Sequence, residues 1–176
     1  MLELPSSQIA VHILKESGCN NKVVKHCKAV SKFAVKIADK LKKKGVSVDV
    51  ELVKIGGLLH DIGRSKTHGI DHAIVGSEIA SSFKLPEPVI RIIERHIGSG
   101  IPAEEAVQLG LPNRDFMPIT LEEKIVAYAD KLITGDYETD INDIIEKFST
   151  DLGSDHPAIH RLKKLHNEFL TLFGDI

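Results

Sequence analysis

A chain of 176 residues has room for one hydrophobic core, or for one core with a short helical appendage. Its 23 basic and 25 acidic residues leave a net charge of −2, which lends no support to a bulk attraction for nucleic acid, and no stretch is apolar for long enough to cross a bilayer. Cys19 and Cys27 match neither a CxxC pair nor a disulfide framework, and the N-terminus lacks a secretory signal, so a cytoplasmic protein with reduced thiols is expected.

Helical periodicity recurs in nearly every segment, whereas period-two alternation appears only in bursts such as 46–50. Pro5, Ser6 and Ser7 open a first helix that runs to about Ser17 and stops at Gly18. Asn20 and Asn21 are the candidate caps of a second, roughly Lys22 to Lys44, with an inward stripe of His26, Val30, Phe33, Ile37 and Leu41. Asp49 caps a third helix to about His60 that is apolar almost all round, as expected of a central helix. Gly56 and Gly57 within it each lower helix propensity by about 1 kcal/mol relative to Ala, which points to close helix–helix approach.

Gly63 stops that helix, and a loop through Gly69 leads to a fourth, Asp71 to Phe83. Pro86 and Pro88 open a fifth, which carries His96 near its end. Residues 98–119, rich in Gly and Pro, read as a long loop with a short helix near Ala103 to Gln108; loops of this length are often lids. Thr120 and Glu123 form a capping box for a sixth helix to about Ile133, and two amphipathic helices follow, Glu138 to Phe148 and Pro157 to Phe173. With no internal repeat and no linker, the expected architecture is an all-α, single-domain bundle over 1–176. Its motif core is about 20–135, and helices from 136–176 pack on it.

Nine histidines is a high number for this length, and several fall on or beside apolar helix faces. His26, the pair His60-Asp61, His72, His96 and Asp130 come from five separate helical segments, each directed toward the interior. Asp130 follows the apolar run Ile125 to Ala129, and an ionised carboxylate there is costly unless paired or bound to a metal. Any one of these residues, taken alone, reads as a hydrogen-bonded core histidine or a capping aspartate. Taken together they read as a metal centre.

The stretch Leu58-Leu59-His60-Asp61-Ile62-Gly63-Arg64 resembles the signature of the HD-domain metal-dependent phosphohydrolases, in the subgroup marked by HDIG. That family has an early His, a His-Asp pair at the end of a later helix and a final Asp further on; His26, His60-Asp61 and Asp130 hold those places in order. Tyr128-Ala129-Asp130-Lys131 is similar to its last motif. In members with two metals, two further histidines lie between the pair and the final Asp. His72 and His96 match them, with His68 a rival to His72.

The resemblance implies a hydrolase acting on a phosphomonoester or phosphodiester of a nucleotide-like substrate through attack of metal-bound hydroxide, with His60, Asp61, Arg64 and Lys131 at the reaction centre. Four imidazoles and two carboxylates suit one or two ions of iron, manganese, zinc, cobalt or nickel better than magnesium. Arg64 could clamp phosphate bidentately and Lys131 could meet it as a point charge; the plainer reading of both is a solvated or helix-end cation. His12, His156, His160 and His166 lie outside the motifs and read as surface or ordinary core residues.

Lys40, Lys42, Lys43 and Lys44 complement a helix C-terminus, and a nucleic-acid patch is the less favoured alternative. The expected partner is therefore a small phosphate ester, with no membrane, and with oligomerisation left open. The alternatives to an enzyme are a non-catalytic HD module that binds metal and nucleotide as a sensor, and a helical interaction domain that binds no metal.

Overall fold

The computed structural model describes residues 3–173, so the ends of the expected 1–176 span lie outside the described residues. The all-α reading holds. In chain order the helices are α1 (Ser7–Glu16), α2 (Asn21–Lys43), α3 (Val50–Leu59), α4 (His72–Ser82), α5 (Glu87–Arg95), α6 (Ala103–Gln108), α7 (Leu121–Leu132), α8 (Ile141–Leu152) and α9 (Pro157–Phe173). Short 3-10 turns follow α3 and α5, at Ile62–Ser65 and Ile97–Ser99.

Side-chain caps set several of the starts. Ser6 accepts from Ile9 N, Asn20 from Lys22 N and Val23 N, Asp49 from Leu52 N, and Asp140 from Asn142 N. A cap of this kind is worth about 1 kcal/mol. Asn20 therefore settles the choice between the two asparagines ahead of α2. No helix among the described residues is long and apolar enough to cross a membrane.

α2 and α3 form the centre of the bundle, with α1, α5 and α7 laid against α3. Both internal glycines of α3 are contact points. A Cβ at Gly56 would lie 2.5 Å from the Ile92 side chain on α5, and one at Gly57 would lie 2.8 Å from Ser31 Cα on α2. Their absent side chains offset the propensity cost by letting three helices pack at short range. One core joins Val30, Phe33, Ile37 and Leu41 of α2 to α7 and to Leu162, Leu165 and Phe169 of α9. A second joins Ala10 and Leu14 of α1 to α3, α4 and α5.

Three local expectations need correction. The helix expected from Glu138 begins only at Ile141, because Ile133–Thr134 and Tyr137–Glu138 pair as a two-residue antiparallel hairpin around Gly135. Gly135 has φ +65, a conformation that favours glycine and turns the chain out of α7. The capping box at Thr120 is half-formed: Thr120 Oγ1 accepts from Glu123 N at 3.2 Å, but the buried Glu123 carboxylate goes to Ile119 N at 2.7 Å and to Arg95 Nη1. A desolvated carboxylate gains more from a guanidinium than from a second amide.

The segment 98–119 carries the short helix expected near Ala103 to Gln108 as α6, but the loop around that helix is packed rather than open. Ile101 bridges to Phe116, and Ile97, Ala106, Leu111 and Phe116 bury against Ala73 of α4 as a small third core.

Candidate metal centre

Backbone geometry around the 3-10 turn brings the candidate ligands together. α3 ends at His60, Asp61 follows, and the turn then passes so close to the start of α4 that a Cβ at Gly63 would lie 1.8 Å from the His72 carbonyl oxygen. α5 ends at His96, and the last turn of α7 carries Asp130. Three helices thus direct their C-terminal ends, each with partial negative charge, at one point, an arrangement that favours a cation. His26 comes from the first turns of α2 and His72 from the first residue of α4.

Asp61 lies at the middle of the cluster. Its Oδ1 is 3.2 Å from His72 Nε2 and 3.4 Å from His96 Nε2, while its Oδ2 is 3.9 Å from His26 Nε2 and 3.8 Å from His60 Nε2. Asp130 Oδ1 closes the second half, 3.0 Å from His26 Nε2 and 3.3 Å from His60 Nε2. Candidate ligand atoms of His26, His60 and Asp130, and of His60, Asp61 and His96, lie within 4.8 Å of one another. His60, Asp61, His72 and His96 are all buried.

The four imidazoles share one orientation. Each places Nδ1 against a backbone carbonyl: His26 on Gly135 O at 2.7 Å, His60 on Gly57 O at 2.8 Å, His72 on Gly69 O at 2.7 Å and His96 on Ile93 O at 2.6 Å. A carbonyl oxygen can only accept, so each Nδ1 carries the proton, and the lone pair of a neutral ring falls on Nε2, toward the carboxylates. Such outer contacts are the usual means of orienting a histidine ligand.

The fit to a metal is visible in two places. His60 Nε2 is buried with no hydrogen-bond partner despite the nearby Asp130 oxygen. His72 Nε2 and His96 Nε2 face each other at 3.0 Å, where two lone pairs repel unless a proton or a cation lies between them. Imidazole nitrogens with carboxylate oxygens form a donor set suited to divalent transition ions.

Electrostatics point the same way. Burial would raise the Asp61 carboxyl, but the charge on His60 holds it well below the usual range. Asp130 is likewise held well below, against burial, by Lys131, His26 and His60. Burial pulls His96 down to about 4, so that ring is neutral. Burial also works against a charge on His60, yet Asp61, helped by the Cys27 and Asp130 side chains, raises it well above the ordinary value.

The carboxylates are therefore ionised at neutral pH, while His60 holds a proton that a metal must displace. The sign follows directly: metal affinity rises as pH rises. Mn²⁺ titrations from about pH 6 to about pH 8 should show affinity growing by about tenfold per pH unit for one proton released. A flat profile would show His60 already neutral.

Of the two rivals, His72 faces Asp61, while His68 is exposed at the rim and offers its backbone carbonyl to Arg64 Nη1 at 3.0 Å. Arg64 also sets Nε 3.3 Å from both Asp61 oxygens, and Lys131 Nζ lies 2.6 Å from Asp130 Oδ2. Both expected phosphate contacts thus rest on carboxylates of the cluster. Arg64, Lys131, His68, Ile70 and Phe148 line a cavity of about 280 Å³ above the histidines. Ile70 and Phe148 carry no chemical signal in sequence, and the Gly135 carbonyl behind His26 has none at all. His12 pairs with Glu16 on an exposed face, and His166 accepts a place beside the Tyr128 hydroxyl at 2.6 Å, tying α9 to α7.

The HD-domain family profile matches residues 23–135. The chain belongs to the HD-domain family. It is 54% identical over 163 residues to an uncharacterised protein of Methanocaldococcus jannaschii, covering 93% of this chain and 96% of that one. It is also 40% identical to a tRNA (cytidine(56)-2'-O)-methyltransferase of Picrophilus torridus, over 97% of this chain but 48% of the relative. The HD-family chain therefore spans about half the length of that enzyme. The HD domain of the Listeria monocytogenes phosphodiesterase PgpH, solved with cyclic-di-AMP, superposes over 96% of this chain and 98% of its own, at a TM-score of 0.56 and 17% identity. At that identity the likeness is one of fold.

Proposed function

We propose that this chain is a metal-dependent phosphohydrolase acting on a phosphomonoester or phosphodiester of a nucleotide. The observation that carries the reading is the common aim of four carbonyl-locked imidazoles at the paired carboxylates Asp61 and Asp130. His26, His60 and Asp130 would hold one divalent ion and His72 and His96 a second, with Asp61 facing both groups through its two oxygens. Manganese, iron, zinc, cobalt or nickel suits this donor set better than magnesium. Bound there, such ions supply Lewis acidity toward phosphate oxygens and acidify water at neutral pH.

The chain's own residues supply the rest. Lys131 and Arg64 lie at the cavity floor beside the carboxylates, placed to exchange those contacts for the non-bridging oxygens of an entering phosphate and to neutralise charge that grows on them. Ile70 and Phe148 line the same cavity with apolar surface, suited to a nucleobase or ribose. Because Phe148 belongs to α8, we read the C-terminal helices as part of the same domain. The nucleotide class is consistent with the cyclic dinucleotide bound by the PgpH domain.

The test is elemental analysis of the purified chain, followed by phosphate release from nucleoside monophosphates and linear or cyclic dinucleotides with added Mn²⁺. Metal retention with turnover of at least one nucleotide is expected. Saturable nucleotide binding with no product would favour the sensor reading, and absence of metal would reject both.

A further inference from the structure

The net charge of −2 conceals a segregated surface. α2 alone carries eight lysines against one acid, Asp39. Lys25, Lys28, Lys32, Lys36 and Lys43 are exposed and fall on the face opposite its buried stripe. Lysines four residues apart recur at about 6 Å along a helix axis, so they line a cationic track about 27 Å long from Lys25 to Lys43. Asp39 lies on α2 itself, and Glu138 of the hairpin reaches the track. Glu138 Oε1 lies 3.5 Å from Lys36 Nζ, with both side chains exposed, a contact weak enough to be exchanged for a phosphate.

Next to Glu138 is Tyr137, 61% exposed and the aromatic ring among the large exposed apolar side chains of the described residues. Its hairpin adjoins the metal centre on the other side, where Gly135 O meets His26. None of those large exposed apolar side chains lies on α2, so the track lacks the apolar face that a membrane-surface helix needs. A row of ammonium groups with an exposed aromatic ring on the neighbouring hairpin is instead the combination that tracks a phosphate backbone and stacks an unpaired base.

We propose that the lysine face of α2, together with Tyr137 of the neighbouring hairpin, binds the sugar–phosphate backbone of single-stranded nucleic acid. The surface is distinct from the metal cluster and does not depend on that cluster being catalytic.

The experiment is fluorescence anisotropy of labelled 20-nucleotide RNA and DNA strands of one sequence, titrated with the full chain over a range of salt. Saturable binding of either strand supports the surface, and the two arms show whether ribose matters. The combined variant K28Q/K32Q/K36Q/K43Q changes only exposed side chains and should melt as the parent does. Its affinity should fall by at least about tenfold, and the slope of log affinity against log salt should shrink by about 3. The single Lys32→Glu and Lys36→Glu variants should each show part of that loss.

Tyr137→Ala should weaken single strands several-fold and leave duplex binding unchanged. Undiminished binding by the quadruple variant would overturn the proposal. So would a parent that binds phosphatidylserine vesicles and neither oligonucleotide.

Discussion

Asp61→Ala is expected to strip the protein of most of its metal and to lower phosphate-ester turnover by at least about a thousandfold, the equivalent of several kcal/mol of lost charge stabilisation. Asp61 is the carboxylate that approaches all four histidines, with Oδ1 toward His72 and His96 and Oδ2 toward His26 and His60. Its loss uncouples the two halves and frees Arg64, whose Nε it holds. Asp61→Asn keeps the shape without the charge, and should lose metal while retaining the parent's melting temperature. Elemental analysis and initial rates decide the matter. Parental turnover in either variant would reject the reaction centre described above.

Gly63→Ala is expected to be the most damaging change that touches no ligand side chain. The added carbon would lie 1.8 Å from the His72 carbonyl oxygen and 2.7 Å from Gly76 N, and both are backbone atoms that cannot rotate away. α4 must move, at a cost of about 3 kcal/mol, the upper end for overpacking. For a chain of this size that is a fall of about 10 °C in Tm. Because His72 opens α4, the displacement also draws its Nε2 away from Asp61, so the ion proposed for His72 and His96 should bind more weakly than the one proposed for His26, His60 and Asp130. Thermal melts and metal stoichiometry together test this, and a variant with the parent's Tm and full loading would show that α4 yields more freely than the contacts imply.

Gly63 also shows what can and cannot be read from the letters. His60-Asp61-Ile62-Gly63 announces itself because a polar pair closes an apolar helix, and the helix boundaries follow from caps such as Asn20 and Asp49. The reason for the glycine, by contrast, lies in the carbonyl of a residue on another helix. The hairpin at 133–138 was unreadable because two-residue strands carry no period. Glu123 was misassigned within its capping box because its true partner, Arg95, lies 28 residues away. Segment 98–119 reads as a loop around a short helix at Ala103–Gln108, which is α6, but its packing is not legible because the buried residues Ile101, Ala106, Leu111 and Phe116 follow neither periodicity. The lysine face of α2 was present in the sequence all along, but a whole-chain sum of charges averages it out.

Three of the four imidazoles bond the carbonyl three residues before them, at Gly57, Gly69 and Ile93. Those rings are therefore oriented by the helix ends on which they sit, before any ligand arrives. The rotational freedom that a flexible coordination sphere gives up on binding has already been surrendered during folding. A cation reaching this cluster meets a rigid receptor, and its affinity is set mainly by the water it sheds and the proton it displaces.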